Sequence, residues 1–164
     1  MSADRIEAAY FSPDIREFIG LLHRYGVRCV VVGGEAVIHH GHARLTGDMD
    51  FFYDSSPENA AALFQVLLDF WGGRIPGVER VEELSEEGLI LQFGRPPHRI
   101  DLLNRFDGVD FRAAWETRHT VAVESAQGEV PLHFLGLEQL IENKLAAGRP
   151  KDLEDLAFLR KSTR

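Results

Sequence analysis

Residues 27–53 read VRCVVVGGEAVIHHGHARLTGDMDFFY, and their pattern is the most informative in the chain. Residues 27–32 are nearly all apolar and mostly β-branched, which predicts a strand that is covered on both faces. A glycine pair then breaks the strand, residues 35–42 predict a short helix, and residues 49–53 predict a second strand. The stretch therefore predicts a strand, a glycine turn, a helix and a further strand in direct succession.

Gly33 and Gly34 stand between the predicted buried strand and the predicted helix. Glycine lets backbone N–H groups approach a ligand closely, and the N-terminus of a helix favours an anion. A glycine pair on its own is usually no more than a turn. It becomes a candidate phosphate-binding loop if a metal site lies nearby, because protein-bound magnesium commonly contacts nucleotide phosphates as well as carboxylates.

Three aspartates form the candidate metal site. Asp48 and Asp50 are one residue apart at the start of a predicted strand, and the two-residue period of a strand points both carboxylates to the same face. Asp101 lies on another predicted strand between Ile100 and Leu102, where a carboxylate needs a partner or a metal ion. Considered alone, Asp48 and Asp50 could belong to a solvated turn. Asp101 alone could form an ion pair with an arginine. Taken together, the three carboxylates predict a magnesium site.

The rest of the chain predicts a mixed α/β fold. Capping residues, glycine or proline punctuation and the helical spacing of apolar residues predict helices over residues 13–25, 57–71, 137–147 and 150–161. Apolar runs and turn residues predict strands over residues 88–93, 99–103, 120–123 and 129–133. The glutamate-rich segment 79–87 predicts a solvated loop or edge. We expect one domain over residues 1–164, in which helices flank a small mixed sheet and the C-terminal end is helical.

Length and composition limit the classes of function. The chain has 164 residues, the size of one ordinary domain, and its 45% hydrophobic and 27% charged residues are typical of a folded protein. A net charge of −8 argues against a general nucleic-acid coat protein, although residues 144–164 carry six basic and three acidic side chains. Cys29 is the only cysteine, which excludes an internal disulfide, and no signal peptide or membrane span is evident. We expect a cytoplasmic protein.

The order and spacing of these features resemble a known signature. An apolar strand, Gly33-Gly34, the Asp-x-Asp at 48–50 and the later strand residue Asp101 are similar to the signature of the DNA polymerase β-like nucleotidyltransferase superfamily. Many relatives carry serine at the position of Gly34, so a hydroxyl contact to the phosphates is missing here. The resemblance implies the nucleotidyltransferase fold.

Two further segments resemble one branch of that superfamily. Arg44 and the Thr-Gly-Asp-Met-Asp run at 46–50 look most like minimal bacterial nucleotidyltransferases that include abortive-infection type toxins. Residues 142–156, ENKLAAGRPKDLEDL, resemble a Lys-Leu-x-Ala, Arg, Lys-Asp-x-x-Asp-Leu segment of the same group. The branch implies an enzyme that transfers a nucleoside monophosphate from a nucleoside triphosphate, such as ATP, to a hydroxyl group.

The resemblance also implies a role for each candidate residue. Asp48 and Asp50 would bridge two Mg²⁺ ions, and Asp101 would complete the acceptor-side metal site and help to deprotonate the acceptor. The remaining candidates would contact the nucleotide or order the site, and they are Gly33, Gly34, Arg44, Lys144 and Lys151. A surface or interhelix ion pair is the alternative for Arg44, Lys151 and Asp152.

The acceptor and the partners stay open at this stage. The toxin-like relatives imply tRNA or protein as the acceptor, whereas the acidic composition accommodates a small hydroxylated molecule such as an antibiotic more easily. A cognate toxin or antitoxin protein is a further expected partner. The alternative function is that of a non-catalytic nucleotide-binding or antitoxin subunit with the same fold, which would have no need for three convergent carboxylates.

Other polar residues of the opening stretch have simpler interpretations. His39, His40 and His42 would point in different directions from a helix, so we expect a solvated helix end rather than a zinc site. Cys29 lies in an apolar strand, where a thiol is usually buried and inert. Glu35 follows the glycine pair and complements the helix dipole, with contact to a metal ion as the alternative.

Overall fold

A seven-stranded mixed sheet organises the part of the chain that the computed structural model describes, namely residues 5–41, 48–95, 98–125 and 128–161. The strands are β1 (Arg5–Ile6), β2 (Cys29–Val32), β3 (Asp48–Tyr53), β4 (Ile90–Phe93), β5 (Arg99–Leu103), β6 (His119–Ser125) and β7 (Gly128–Phe134). Their order across the sheet is β1-β6-β7-β2-β3-β5-β4. The mixed α/β fold predicted from the sequence is therefore confirmed.

Six α-helices flank this sheet within the described ranges. They are α1 (Pro13–Arg24), α2 (Gly33–His39), α3 (Pro57–Phe70), α4 (Phe111–Glu116), α5 (Leu137–Ala147) and α6 (Pro150–Lys161). Two short 3₁₀ helices cover Ala8–Tyr10 and Val81–Ser85. None of the described helices is long and apolar enough to cross a membrane.

The strand register aligns the end of β2 with polar residues on three neighbouring strands. β2 runs antiparallel to β3 and pairs Val32 with Asp50, while β3 runs parallel to β5 and pairs Asp50 with Asp101. On the far side, β4 runs antiparallel to β5 and pairs Gln92 with Asp101. Four adjacent strands thus carry these residues in one row, which brings the end of β2 next to both carboxylate-bearing strands.

Each face of the sheet covers its own hydrophobic core. Alternate residues of β3 join different cores, because successive side chains of a strand point to opposite faces. Phe51 packs in the core covered by α1 and α3, with Phe18 and Leu63. Phe52 packs in the second core, with Leu140 and Leu159 of α5 and α6. Asp48 and Asp50 share the face of Phe52, which is the face of the second core.

The boundaries of the main elements follow the sequence closely. The two C-terminal helices begin and end at the predicted residues, and α1 and α3 end one residue before the predicted 25 and 71. The first predicted strand is shorter than expected, since it begins at Cys29 rather than at 27. Helix α2 begins at the glycine pair instead of after it and ends at His39, before the predicted 42.

Three features differ from the sequence prediction. Segment 79–87 was expected to be solvated, but it contains a 3₁₀ helix whose Leu84 is fully buried. Helix α4 is not evident from periodicity, because six residues give less than two turns of pattern; its start is fixed by the Asp110 side chain, which accepts a hydrogen bond from the Ala113 N–H. The two-residue strand β1 is equally too short to predict.

Candidate active site

The three predicted aspartates converge on one face of the sheet. Asp48 and Asp50 lie on β3 and Asp101 lies level with Asp50 on the adjacent β5. One oxygen from each carboxylate lies within 4.8 Å of the others, and among the described residues these three form the one group with the donors and spacing for a metal ion. We call Asp48, Asp50 and Asp101 the carboxylate cluster. The structure thus brings together residues that are separated by about 50 positions in the chain.

The glycine turn lies directly against this cluster. Gly33 has a φ of 66°, in the left-handed region that favours glycine, and a Cβ atom at this position would overlap Asp50 Oδ2. Gly34 is buried in the first turn of α2. The glycine turn at the end of β2 and the Asp-x-Asp pair on the adjacent β3 therefore lie side by side. Asp50 can occupy its position only because residue 33 has no side chain.

An arginine that the sequence analysis did not single out holds two of the carboxylates. Arg99 Nη2 donates to Asp48 Oδ2 at 2.6 Å and to Asp101 Oδ2 at 3.1 Å, and Arg99 Nε donates to Asp101 Oδ1 at 2.9 Å. Gln92 Nε2 lies 3.4 Å from Asp101 Oδ2. The signal for Arg99 was available, since it precedes Asp101 by two residues on the same strand and therefore shares its face.

Negative charge is left in excess at this cluster. Burial, and after it the negative charges of Asp101 and Asp48, raise the pKa of Asp50 to about 7, although the charge of Arg99 opposes the shift. Asp50 Oδ1 is buried and has no hydrogen-bond partner among the described residues. Carboxylate oxygens are the ligands that Mg²⁺ prefers, and a buried oxygen without a partner is suited to a cation. The residues present therefore fit a divalent metal ion.

The predicted phosphate-binding cations have different surroundings. Arg44 lies outside the described residues, and Lys151 is exposed in the first turn of α6. Lys144 is only 3% exposed, and its Nζ lies 3.1 Å from Asp152 Oδ1 and 3.1 Å from Asp155 Oδ2. The interhelix ion pair considered for Asp152 is thus present. The phosphate-binding role of Arg44, Lys144 and Lys151 stays a prediction.

A second charged cluster links the two C-terminal helices. Its four members belong to α5, to the α5–α6 turn and to α6, and they are Lys144, Arg149, Asp152 and Asp155. Arg149 Nε donates to Asp152 Oδ2 at 2.7 Å, and the Arg149 backbone N–H donates to the same oxygen at 3.1 Å. We call these four residues the interhelix cluster. It joins α5 to α6 through side chains that are mostly buried.

Residues around α2 make contacts that periodicity does not predict. Tyr10 donates a hydrogen bond of 3.0 Å to Glu35 Oε2, and burial raises the pKa of Glu35. His39 stacks on Phe134, and His40 Nε2 lies 2.8 Å from the carbonyl oxygen of Leu135. The expectation of a solvated helix end is therefore wrong for His39 and His40, which are half-buried against the sheet.

The expectations for His42 and Cys29 have different outcomes. His42 lies outside the described residues. Cys29 is buried, and burial raises the pKa of its thiol to about 12, which fits the inert thiol that was expected.

The fold and the site together define a class of protein. A mixed sheet that brings an Asp-x-Asp pair, a third strand aspartate and a glycine turn together is the arrangement that the resemblance to the nucleotidyltransferase superfamily implies. The chain belongs to the family described as "Nucleotidyltransferase of unknown function (DUF6036)", whose model matches residues 13–159. No curated protein sequence matches the chain.

Two solved structures have a similar fold. One is a Thermotoga maritima protein proposed to be a nucleotidyltransferase; it has 17% sequence identity and a TM-score of 0.54, and the match covers 90% of each chain. The other is the antibiotic-resistance factor ANT(2'')-Ia; it has 17% identity and a TM-score of 0.56, and the match covers 92% of this chain and 83% of that one. At 17% identity, the similarity to these two structures concerns the fold alone.

Proposed function

We propose that this protein is a metal-dependent nucleotidyltransferase, which transfers a nucleoside monophosphate from a nucleoside triphosphate to a hydroxyl group of an acceptor. The observation that carries the proposal is the convergence of Asp48, Asp50 and Asp101 beside the glycine turn at Gly33. Such a site supplies what the reaction needs, because attack on the α-phosphate builds negative charge on the phosphoryl oxygens and on the leaving pyrophosphate.

The carboxylate cluster would hold the metal ions. Asp48 and Asp50 would bind two Mg²⁺ ions, and Asp101 would complete the site on the side of the acceptor. When bound, the metal ions would stabilise the attacking and leaving oxygens and lower the pKa of the acceptor hydroxyl. Asp50 would contribute Oδ1, the buried oxygen that lacks a hydrogen bond among the described residues.

The strand-to-helix turn would hold the phosphates of the nucleotide. Gly33 and Gly34 lack side chains, so the backbone between β2 and α2 would lie close to both the metal ions and the β and γ phosphates. Arg44, Lys144 and Lys151 are the proposed additional phosphate ligands. Lys144 would have to exchange at least part of its contact with Asp152 for a phosphate, which makes it less accessible than the exposed Lys151.

The acceptor is proposed by class only. The C-terminal segment favours a macromolecular acceptor, either tRNA or protein, as in toxin-like nucleotidyltransferases, and such a role would bring a cognate antitoxin or toxin partner. A small hydroxylated molecule is the competing acceptor. The excess of acidic residues in the chain favours such a molecule over RNA, because RNA is itself negatively charged. We propose a cytoplasmic location, as the single cysteine Cys29 favours.

Labelling with nucleotides tests the function and identifies the acceptor together. The protein is incubated with Mg²⁺, each α-³²P-labelled nucleoside triphosphate in turn, and a bacterial extract separated into RNA, protein and small-molecule fractions. We expect Mg²⁺-dependent label in one fraction, and loss of that label by at least about a hundredfold in Asp48→Asn. Asp14→Asn is the matched control, because Asp14 is an exposed carboxylate in the first turn of α1.

Three results would contradict the proposal. Full activity in Asp48→Asn would mean that the metal site is misplaced, and label that forms equally well in chelator would exclude metal dependence. No label with any nucleotide, combined with Mg²⁺-dependent nucleotide binding, would favour the non-catalytic nucleotide-binding subunit instead.

A further inference from the structure

The carboxylate cluster is not equally open at its three members. Both oxygens of Asp101 accept hydrogen bonds from Arg99, and Asp101 is only 7% exposed. Asp48 gives one oxygen, Oδ2, to the same guanidinium group. Asp50 has no hydrogen bond with Arg99 among the described contacts, and its Oδ1 is buried without a partner. The positive charge therefore lies against one side of the cluster, and the opposite side keeps its excess of negative charge.

The guanidinium group occupies the position that a cation at Asp101 would need. Its planar fork matches carboxylate geometry and stays charged at every physiological pH, so it does not leave by losing a proton. A metal ion bound by Asp101 would have to take over at least one oxygen that Arg99 now contacts. Two cations so close together also repel each other, because the site is partly buried and solvent screens the charges less than at an open surface.

We propose that Arg99 is a resident counter-ion, which stabilises the metal-free carboxylate cluster and must be displaced before Asp101 can bind a metal ion. The inference rests on the proposed metal-dependent function. Arg99 thereby makes the two halves of the site unequal: Asp50, which has no hydrogen bond with Arg99 among the described contacts, is open to a first metal ion, whereas Asp101 becomes available only after the guanidinium group has moved. Arg99 is a positioning residue in this scheme.

Binding of Mn²⁺ without nucleotide, followed by electron paramagnetic resonance, tests the proposal. We expect Arg99→Gln to bind Mn²⁺ at least about tenfold more tightly than the wild-type protein, because a competing positive charge is gone. In a protein that already carries Asp101→Asn, adding Arg99→Gln should increase the Mn²⁺ affinity by less than about threefold. Arg99→Lys keeps the charge and should stay close to the wild type. Arg112→Gln is the charge-matched control, because Arg112 is 88% exposed and pairs only with Glu116 among the described ion pairs.

The outcomes separate this inference from the proposed function. If wild type and Arg99→Gln bind Mn²⁺ equally well, or if Arg112→Gln gives the same gain, the metal site stands and the role of Arg99 is refuted. If neither protein binds Mn²⁺, both proposals fail. If only Arg99→Gln binds the ion, the role of Arg99 as a competing counter-ion is supported, but a separate first site at Asp50 in the wild-type protein is refuted.

A measurement on the wild-type protein covers the case in which Arg99→Gln does not fold. The Nε proton of Arg99 donates to Asp101 in the metal-free protein, so its NMR signal should be protected from exchange with water in chelator. Saturating Mg²⁺ should remove that protection by at least about tenfold in exchange rate. Protection that persists while Mg²⁺ is bound would overturn the inference.

Discussion

The carboxylate cluster and the interhelix cluster are built from the same chemical groups but differ in charge balance. The interhelix cluster sets two carboxylates against two cations, and its central carboxylate, Asp152, is fully buried and receives hydrogen bonds on both oxygens. The carboxylate cluster sets three carboxylates against Arg99 and leaves a buried oxygen of Asp50 without a hydrogen bond among the described residues. One cluster is complete as it stands, and the other has room for a further positive charge.

The pKa values of the two central aspartates move in opposite directions for this reason. Burial on its own would raise the pKa of Asp152, but hydrogen bonds from Arg149 and Lys144 outweigh burial and lower it to about 2. Burial and the neighbouring carboxylates instead raise the pKa of Asp50 to about 7. Burial of an aspartate therefore says little about its role. The charges and hydrogen-bond donors around a buried carboxylate determine whether it stabilises the fold or is suited to bind a cation.

The largest effect on stability is expected at the interhelix cluster. Asp152→Asn should lower the free energy of unfolding by about 3 kcal/mol, because it leaves Lys144 buried with a reduced set of acidic partners. Asp50→Asn, which removes one of three neighbouring negative charges, should leave the metal-free protein at least as stable as the wild type. Urea denaturation in chelator measures both.

Glu154→Gln is the control for the first substitution, because Glu154 is exposed on the same helix. Its free energy of unfolding should stay within about 0.5 kcal/mol of the wild type. Similar losses in Asp152→Asn and Asp50→Asn would contradict the distinction between the two clusters.

The glycine turn gives the next largest effect. Gly33→Ala should lower the free energy of unfolding by about 2 kcal/mol, because alanine is strained at a φ of 66° and its Cβ would displace the Asp50 carboxylate. Mn²⁺ affinity should fall together with stability, since Asp50 is a proposed ligand. Thermal unfolding in chelator and Mn²⁺ titration measure the two effects.

Gly20→Ala is the matched control for the glycine turn. Gly20 lies inside α1, and a Cβ atom there would meet nothing within 4 Å. Alanine favours a helix interior over glycine by up to about 1 kcal/mol, so this variant should be as stable as the wild type or more stable. A Gly33→Ala protein that behaves like Gly20→Ala would show that Asp50 does not depend on the missing side chain.

The sequence predicts the main elements of the site better than it predicts their partners. Helices α5 and α6 are predicted to the residue, because Gly148 adopts a left-handed φ at the end of one and Pro150 begins the other. The convergence of the aspartates is predicted by the two-residue period of a strand together with the family resemblance. Both depend on local rules that a sequence carries directly.

Contacts between elements are harder to predict. Lys144 follows Leu140 by four residues and so lies on the buried side of α5, but only the packing of α6 supplies the acidic partners that make its burial tolerable. Arg99 likewise shares a face with Asp101 by strand period, whereas its contact with Asp48 depends on the register between β3 and β5. The spacing of residue types along the chain identifies the candidate site residues. Contacts between elements that are distant in sequence determine which of their charges are neutralised.

Acidification should produce the smallest change in the free energy of unfolding. Comparison of the wild type with Asp152→Asn isolates the contribution of the interhelix cluster to that change. Asp152 has a folded-state pKa of about 2, below its ordinary value of 3.8, so its ionised form contributes stability that is fully present above about pH 4 and is lost as the pH falls through 2. The difference in unfolding free energy between the wild type and Asp152→Asn should therefore be constant from pH 8 to about pH 4. Below that pH it should narrow by about 1–2 kcal/mol, and urea denaturation at pH 6, 4 and 2.5 measures it. A difference that already narrows between pH 7 and 5 would mean that Lys144 and Arg149 do not hold Asp152 ionised, and the charge balance that distinguishes the two clusters would then be wrong.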